Sequence, residues 1–367
     1  MIEYVEARNA DFDVIGILDT AQSIIWHSVY YGVGDFQIYI RLTDALQIIS
    51  DARYITRIDN DEVGVIESIL IADDIENGKM LTVSGRFAKS LLDRRIIFNL
   101  SGTSNKATIL RGNVETNVRS LVHSNAIATR SLGVLELGAV AGISKNIVDD
   151  NGAAAQKQVS YENLLEYTEE MLKEYGIAST VKLSGKKLQY SVYEGADRSA
   201  NNTVGNQPIV FSEEYDNLIS SEYSHNTTHE KNVALIGGEG EGIERFCVLL
   251  GTQSGLARKE VFVDASSISK TYKDENDVEQ TLTDAEYTAM LKAHGHQVIS
   301  ASTVFEDFNG ALDITYGNWK YNRDVFLGDI VTVQDKNIGV FKNVRLAEVT
   351  EYQDQDGYTV EAVYQGE

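Results

Sequence analysis

Two pairs of histidines have a spacing that a metal site could use. His225 and His229 lie four apart, but the Asn-Thr-Thr sequence between them favours a loop, and the His-Glu-x-x-His order of a zinc protease is missing. His294 and His296 lie at the predicted end of a helix, where a cation interacts favourably with the helix dipole. We therefore expect no metal ligand, no cofactor-binding residue and no cofactor.

Three short segments are similar to nucleophile or phosphate sites, but each has a simpler interpretation. In residues 251–255 the serine stands one place too late for the Gly-x-Ser-x-Gly turn that exposes a catalytic serine. In residues 237–242 glycines stand beside glutamates, whose charge repels phosphate, and no Lys-Ser or Lys-Thr pair follows, so we predict a hairpin turn. Cys247 lies in the apolar run 246–250 and is predicted to be a small buried side chain.

The acidic residues give no catalytic pair. Residues 59–61 and 354–357 are similar to calcium-binding loops, but neither has its glycine and distal glutamate in EF-hand register, so we predict polar turns. Adjacent aspartates at 73–74 and 149–150 are expected by chance among 55 acidic residues, and no glycosidase pair can be assigned. The sequence therefore predicts no catalytic residue and no enzymatic activity.

The composition is that of a folded and strongly acidic chain. Its 367 residues include 32 Lys and Arg against 55 Asp and Glu, which gives a net charge of −23. Hydrophobic residues make up 43%, enough to fill the cores of two or three domains. One proline beside 29 glycines and 19 tyrosines favours β structure with short turns.

Several classes of protein are excluded. The apolar run 246–250 is far shorter than the ~18 residues of a membrane span. The N-terminus has neither the basic nor the apolar region of a signal peptide, and the single Cys247 cannot form an internal disulfide, so we expect assembly in a reducing compartment. The charge of −23 argues against a surface that binds nucleic acid.

The first hundred residues are predicted to be mainly strands. They are expected at residues 15–18, 23–26, 34–40, 64–71 and 80–83. Within 34–40, Phe36, Ile38 and Ile40 alternate with other residues, as in a half-buried strand. Asn77-Gly78 predicts a hairpin turn. A short helix is expected at residues 86–93, with three side chains facing inward, Phe87, Leu91 and Leu92.

The middle of the chain is predicted to form a small α+β unit. Apolar residues between 114 and 122 have helical spacing, and residues 161–175 form the clearest helix. Ser160 is placed to cap the second helix, and Gly176 stands at its C′ position. A hairpin with its turn at Ser184-Gly185 follows.

From residue 210 the pattern returns to strands. They are expected at residues 233–236, 246–250, 329–333, 339–346 and 358–364. Thr283 and Glu286 form a capping box that starts a helix, which is predicted to end at Gly295 and to bury three side chains, Tyr287, Met290 and Leu291. The polar residues 270–280 are predicted to be a loop.

These elements predict an α+β, mainly β, fold with two pseudo-repeated small β-barrel-like domains and a helix-containing α+β domain. Residues 64–73 are echoed by residues 339–348, and a Gly-Asp pair enters a strand upstream of each, at Gly34-Asp35 and Gly328-Asp329. We expect a first β domain at 1–110, an α+β domain at 111–205, a β segment at 206–312 with a helical insertion at about 265–300, and C-terminal strands at 313–367 that complete the second β domain.

Four groups of residues carry a resemblance to a known family. They are Ser23-Ile24-Ile25-Trp26 with Tyr31 and Gly34-Asp35-Phe36; Gly85-Arg86 with Leu91-Leu92-Asp93-Arg94-Arg95; Lys231-Asn232-Val233 with Gly237-Gly238 and Arg245; and Phe326-Leu327-Gly328-Asp329-Ile330-Val331-Thr332-Val333. In this order they resemble a tail-protein family of siphophages and prophages of Gram-positive hosts, first named from a Rhodococcus siphophage. Its members are similar to a tail or baseplate hub, or to the N-terminal part of a tail-associated protein.

The resemblance implies a structural hub protein. In such hubs a homotrimeric ring presents six similar tube-like β domains and adapts a sixfold tail tube to a threefold tip. The implied partners are further copies of the chain, distal tail or tail tube proteins, the tape measure protein and tip or spike proteins, with DNA as a transient passenger. The implied location is the distal tail tip of a virion assembled in the bacterial host cytoplasm.

The resemblance also bears on acidity and on catalysis. Because carboxylates repel DNA phosphates, we hypothesise that an acidic channel lets the genome slide through.

The sequence ends at Glu367, directly after the second β unit, so we expect no enzymatic domain. Two alternatives stay open: a carbohydrate- or receptor-binding module in which Tyr190 and Tyr193 stack on sugars, and a cell-wall-degrading enzyme with Asp or Glu as acid and base.

Overall fold

A computed structural model gives the fold, and it describes residues 2, 4–74, 78–101, 104–106, 108–148, 152–215, 217–273, 278–302, 305–312, 319–337 and 339–366. Helices make up 22% and strands 42% of the chain, which confirms the mainly β fold class with a few helices. Two expected features lie outside the described residues, namely Asn77 of the first hairpin turn and the aspartate pair at 149–150.

The N-terminal region has eight strands and one α-helix. They are β1 (Val5–Arg8), β2 (Val14–Ile17), β3 (Ser23–Val29), β4 (Asp35–Arg41), α1 (Leu42–Asp51), β5 (Tyr54–Arg57), β6 (Val63–Val65), β7 (Ser68–Asp74) and β8 (Gly78–Arg86). The predicted alternation in β4 is confirmed, because Phe36, Ile38 and Ile40 are all buried. The short helix expected next is a 3₁₀-helix at Ala88–Arg94.

The middle region packs two helices against short strands. Its elements are β9 (Asn99–Ser101), β10 (Ser104–Lys106), β11 (Thr108–Arg111), α2 (Val114–Val122), β12 (Leu135–Leu137), β13 (Gln156–Val159), α3 (Leu164–Glu174), β14 (Ala178–Ser184) and β15 (Lys187–Tyr193). A π-helical segment, His123–Ala128, continues α2. The predicted hairpin is confirmed by the antiparallel pairing of β14 with β15.

The third region consists of short strands and the longest helix. Its elements are β16 (Val210–Ser212), β17 (Leu218–Asn226), β18 (Val233–Gly237), β19 (Cys247–Leu250), β20 (Glu260–Asp264), β21 (Thr271–Lys273), β22 (Glu279–Thr281), α4 (Asp284–Ala301) and β23 (Phe305–Leu312). α4 packs on the three-stranded sheet β19-β18-β20, and Tyr287, Met290 and Leu291 are buried as predicted.

One large sheet connects the two ends of the chain. The C-terminal strands are β24 (Ile330–Asp335), β25 (Val340–Gln353) and β26 (Tyr358–Gly366). The main path of the sheet runs β17-β23-β26-β25-β3-β4-β8-β7, while β24 pairs with both β25 and β16. The β regions that we expected to be barrel-like thus share a continuous sheet through the β3–β25 pairing, and the pairings of the described strands do not close a barrel.

The internal echo corresponds to a shared hairpin with different neighbours. β7–β8 and β25–β26 are both antiparallel hairpins. However, the strand that follows Gly34 pairs with the second strand of its hairpin, β8, whereas the strand that follows Gly328 pairs with the first strand, β25. Residues 64–73 are also divided between β6 and β7, which belong to different sheets. The domain division given above stays a prediction.

Two predicted helix ends are wrong. α3 begins after Asn163, whose side chain accepts hydrogen bonds from the backbone N–H groups of Leu165 and Glu166, so Asn163 and not Ser160 is the N-cap. α4 has the predicted capping box but continues past Gly295 to Ala301. A Cβ atom at position 295 would lie 2.4 Å from Ile236 Cδ1, so the glycine allows the helix to approach β18 closely and does not end it.

Two other predictions need correction. Cys247 is exposed, because strand alternation in β19 turns Val248 and Leu250 inward and Cys247 and Leu249 outward. The predicted loop at 270–280 contains the paired strands β21 and β22. Its residues 274–277 lie outside the described part of the chain.

Candidate functional site

The candidate site is the junction where N-terminal and C-terminal strands meet. β3 pairs with β25, which places Trp26 opposite Glu351 and His27 opposite Thr350. β3 also pairs with β4, which places His27 opposite Asp35. Side chains from distant parts of the sequence therefore meet around β3.

A buried ion pair lies under this junction. Arg57 Nη1 donates to Glu351 Oε2 at 2.8 Å and Arg57 Nη2 to Glu351 Oε1 at 3.0 Å, a bidentate pair. The guanidinium also bonds Asp59 and lies 5.2 Å from the centre of the Trp26 ring. Burial opposes its charge, but hydrogen bonds to Asp59 and Glu351 outweigh burial and raise the Arg57 pKa. Tyr358 donates a further hydrogen bond to Glu351.

The half-buried residue Glu62 places a second carboxyl group beside the junction. Its Oε2 atom accepts hydrogen bonds from Trp26 Nε1, at 3.1 Å, and from the Ser28 hydroxyl. Burial raises the pKa of Glu62 to about 7, although the bonds from Ser28 and Trp26 favour the charged form. Glu62 thus connects β3 to the segment between β5 and β6.

His27 bridges two strands on the solvent-facing side of the sheet. Its Nδ1 lies 3.1 Å from Asp35 Oδ2 on β4, and its Nε2 lies 3.0 Å from Glu348 Oε2 on β25. The hydrogen bond to Glu348 is the largest cause that raises the His27 pKa to about 9, and Asp35 adds to it against the effect of burial. His27 is therefore protonated at neutral pH and forms ion pairs on both sides.

A cavity of about 690 Å³ opens beside these groups. Glu62, Ser28, Lys182, Tyr193 and Tyr321 are among its lining residues. The lining contains no histidine or cysteine, so it offers no Ser-His or Cys-His pair for nucleophilic catalysis. We interpret this cavity as a gap between packed strands.

The main path of the large sheet ends in two strands, β7 and β17, that pair on one side only among the described strands, and β16 on the branch likewise pairs only with β24. On β7, Ile69, Leu70 and Ile71 are 49%, 59% and 51% exposed. Leu70 lies opposite Thr82 on the solvent-facing side, whereas Ile69 and Ile71 point to the core side. Three consecutive exposed apolar residues on an unpaired edge favour pairing with another chain.

The histidines singled out from the sequence are not brought together. His225 belongs to β17 and His229 to the turn after it, so they do not share a helix face. His294 and His296 lie inside α4 and not at its end, and burial lowers the pKa of His294 to about 4. No group of three His, Cys, Asp or Glu side chains among the described residues could hold a metal ion.

The other candidate segments also have structural roles. Residues 238–242 belong to the predicted turn between antiparallel β18 and β19, whereas Gly237 is the last residue of β18, and residues 354–357 form the turn between β25 and β26. Tyr190 is fully buried and cannot stack on a sugar, and burial also raises the Tyr193 pKa. No helix within the described ranges is long and apolar enough to cross a bilayer.

The residues that build the junction were missed at the sequence level. Arg57 and Glu351 are separated by 294 positions, and each alone looks like an ordinary surface charge. The alternation of side chains along β25 was the signal that could have found Glu351. Val349 and Glu351 are two residues apart, so both lie on the inward-facing side of the strand.

A comparison with protein families matches residues 4–364 to the family described as Siphovirus ReqiPepy6 Gp37-like protein. The chain belongs to this family. It is therefore a phage tail protein and a virion component, and the resemblance carried by the four groups of residues is confirmed. No curated protein shows significant similarity to the chain.

Solved structures of tail proteins share the fold of this Gp37-like chain. The tail protein from Neisseria meningitidis MC58 has a TM-score of 0.58 at 12% identity, covering 99% of this chain and 96% of its own. The 43 kDa tail protein of prophage MuSo2 from Shewanella oneidensis has a TM-score of 0.56 at 10% identity, covering 98% and 97%. The prophage tail protein gp18 from Listeria monocytogenes EGD-e has a TM-score of 0.53 at 11% identity, covering 99% and 94%.

Proposed function

We propose that this tail protein is a hub subunit that assembles with copies of itself into a ring. The observation that carries the proposal is the main path of the large sheet, whose two ends, β7 and β17, are unlike strands that pair on one side only within the described residues. A contact between two different surfaces of identical chains is heterologous and generates a ring when its rotation closes. The exposed apolar residues of β7 would be covered by such a contact.

The ring is proposed to be a trimer. Each chain contributes two similar hairpins, β7–β8 and β25–β26, held in one sheet by the β3–β25 pairing. Three chains then supply six hairpins, which suits a sixfold tail tube on one side and a threefold tip on the other. The partners proposed are distal tail or tail tube proteins, the tape measure protein and tip or spike proteins. The role is structural, without catalysis, at the distal tip of the tail.

The solvent-facing side of the large sheet is proposed to line the channel through which DNA passes. Two cations of this side, His27 and Arg86, are each held by two carboxylates. The charges of His27 and Arg86 are therefore neutralised in place and are not free to bind a passing phosphate backbone. The net charge of −23 adds long-range repulsion.

A reconstruction of the native tail tests this function. We expect three copies at the distal end, with β7 of one copy next to β17 of the following copy and with His27 facing the channel. A different position in the particle, a copy number other than three, or a basic channel wall would contradict the proposal.

A further inference from the structure

Three arginines line an open cavity of about 530 Å³ in a chain whose net charge is −23. Arg94 and Arg95 come from the end of the 3₁₀-helix after β8, and Arg130 follows the π-helical segment after α2. Asp93 and Ile96 complete the lining. A cationic pocket is unexpected in such an acidic protein, so its contacts are informative.

The arginines are not neutralised by the protein itself. Asp93 is the one carboxylate in the lining, and its oxygens are already bonded, Oδ2 by Arg86 at 3.1 Å and Oδ1 by the Asn163 amide at 3.0 Å. Within the described parts of the chain, Arg94, Arg95 and Arg130 form no ion pair with a carboxylate. The cavity therefore holds a local excess of positive charge.

Two of the guanidinium groups are held in place by neutral partners. Arg95 Nε donates to the backbone oxygen of Arg130 at 2.8 Å, which keeps the two side chains close. Arg130 donates to the Asn125 side-chain oxygen, and its guanidinium carbon lies 3.6 Å from the centre of the Phe98 ring. Burial and the charge of Arg95 lower the Arg130 pKa. Fixed guanidinium groups lose less entropy when they bind an anion.

A polar cavity of about 730 Å³ adjoins this cluster through the same residues. Phe98 and Asn125, which hold Arg130, both belong to its lining. The remaining lining combines amides and hydroxyls with four apolar residues, the rings of His123 and Tyr272 and one cation, Arg111. Asn117 and Thr129 are already hydrogen-bonded within the protein, so the hydroxyls of Ser120 and Ser124 are the groups we expect to bond ligand hydroxyls, and Phe98 and Tyr272 provide apolar surface for carbon atoms.

We propose that the two cavities together bind a phosphorylated polyol or sugar. The phosphate group occupies the cavity of Arg94, Arg95 and Arg130, whose forked donors match its oxygens. The hydroxyl-bearing part occupies the polar cavity beyond Arg130. A phosphate is favoured over a carboxylate side chain because three cations suit its larger charge and because the adjoining surface suits hydroxyl groups.

Titration calorimetry on the full chain tests the phosphate cavity. The probes are inorganic phosphate, glycerol 1-phosphate and a phosphodiester-linked glycerol oligomer, so that free and polymeric sources are distinguished. Arg94→Ala is expected to weaken all three by about tenfold to a hundredfold, the effect of losing a charged hydrogen bond. The matched control is Arg323→Ala, an exposed arginine paired with Asp324, which is expected to leave all three unchanged. Arg94→Gln provides a second variant if Arg94→Ala melts at a lower temperature.

The double variant Ser120→Ala/Ser124→Ala tests the polar cavity. It is expected to weaken glycerol 1-phosphate and the oligomer several-fold and to leave inorganic phosphate unchanged. Absence of saturable binding of these probes, or equal binding to wild type and to Arg94→Ala, would overturn the proposal. Competition by poly-glutamate as strong as that by the oligomer would overturn it in favour of an acidic peptide partner.

Discussion

Arg57 and Glu351 are 294 residues apart in sequence, and their buried side chains form a bidentate ion pair that ties β5 to β25. The pair lies under the β3–β25 pairing, which joins the two ends of the chain in one sheet. Its role is therefore to fix the position of the C-terminal hairpin relative to the N-terminal strands. Assembly into the ring proposed above would depend on such fixed positions.

Removing one partner of this pair is expected to be strongly destabilising. Glu351→Ala leaves the Arg57 charge buried, and we expect it to lower the free energy of unfolding by about 3 kcal/mol. This value is at the lower end of the range for a broken buried ion pair, because Asp59 still accepts a hydrogen bond from Arg57. Denaturant unfolding measures the change. The matched control is Glu214→Ala, which breaks the exposed pair with Lys336 and is expected to cost ~1 kcal/mol or less.

The double variant Arg57→Met/Glu351→Leu tests whether the loss of stability in Glu351→Ala comes from the unpaired buried charge of Arg57. Because it removes both charges, we expect it to recover much of the stability lost in Glu351→Ala. Equal stabilities of Glu351→Ala and the wild type would contradict a role for the pair in holding the sheet together.

His27 is expected to make stability depend on pH in the alkaline range. Its pKa is about 9 in the folded protein against 6.5 ordinarily, so the folded state binds its proton more tightly than the unfolded state does. This contribution is fully present below pH 6.5 and is lost as the pH rises through 9. The midpoint of urea unfolding should therefore fall between pH 7.5 and 9, a range above the Glu62 pKa of about 7.

The variant His27→Gln should flatten this decline, because it cannot carry the proton. His229→Gln, in an exposed turn, is the matched control and should keep the wild-type pH dependence. An equally steep decline in His27→Gln would show that other groups cause it.

Much of the fold could be predicted from local patterns, whereas the junction could not. The alternation in β4 and the capping box of α4 are signals contained within a few residues, and both are confirmed. The Arg57–Glu351 pair depends on the β3–β25 pairing, which no local pattern encodes. Cys247 was misplaced for a related reason: a run of five apolar residues has no alternation from which its outward direction could be read.

The β7 edge provides a test of ring assembly. Leu70 is 59% exposed and lies on the solvent-facing side of an edge strand, so Leu70→Lys should not disturb the core. A lysine on the edge is expected to oppose pairing with another strand. We expect the variant to melt like the wild type but to be lost from assembled tails, as measured by its abundance in purified particles.

The matched control for the edge is Val140→Lys, a charge introduced at an apolar residue that is 70% exposed and outside the large sheet. It is expected to assemble normally. If Leu70→Lys and Val140→Lys enter particles equally well, β7 is not the contact between subunits.

Gly295 is expected to be needed for the packing of α4 on β18. In an exposed helix, Gly→Ala would stabilise by about 1 kcal/mol. Here the new Cβ atom would lie 2.4 Å from Ile236 Cδ1 and 2.9 Å from its Cγ1, and Ile236 is fully buried. We therefore expect Gly295→Ala to destabilise by about 1–3 kcal/mol, as overpacking does.

A second substitution decides whether this contact is the cause. Ile236→Val removes the Cδ1 atom that the new methyl group would meet, and alone it is expected to cost about 1 kcal/mol. In the double variant Gly295→Ala/Ile236→Val the two changes fill and empty the same space, so the double variant should be more stable than Gly295→Ala. Denaturant unfolding measures the three variants. If the loss of stability in the double variant equals the sum of the two single losses, the two positions are not coupled, and contact with Ile236 is not the reason that position 295 needs a glycine.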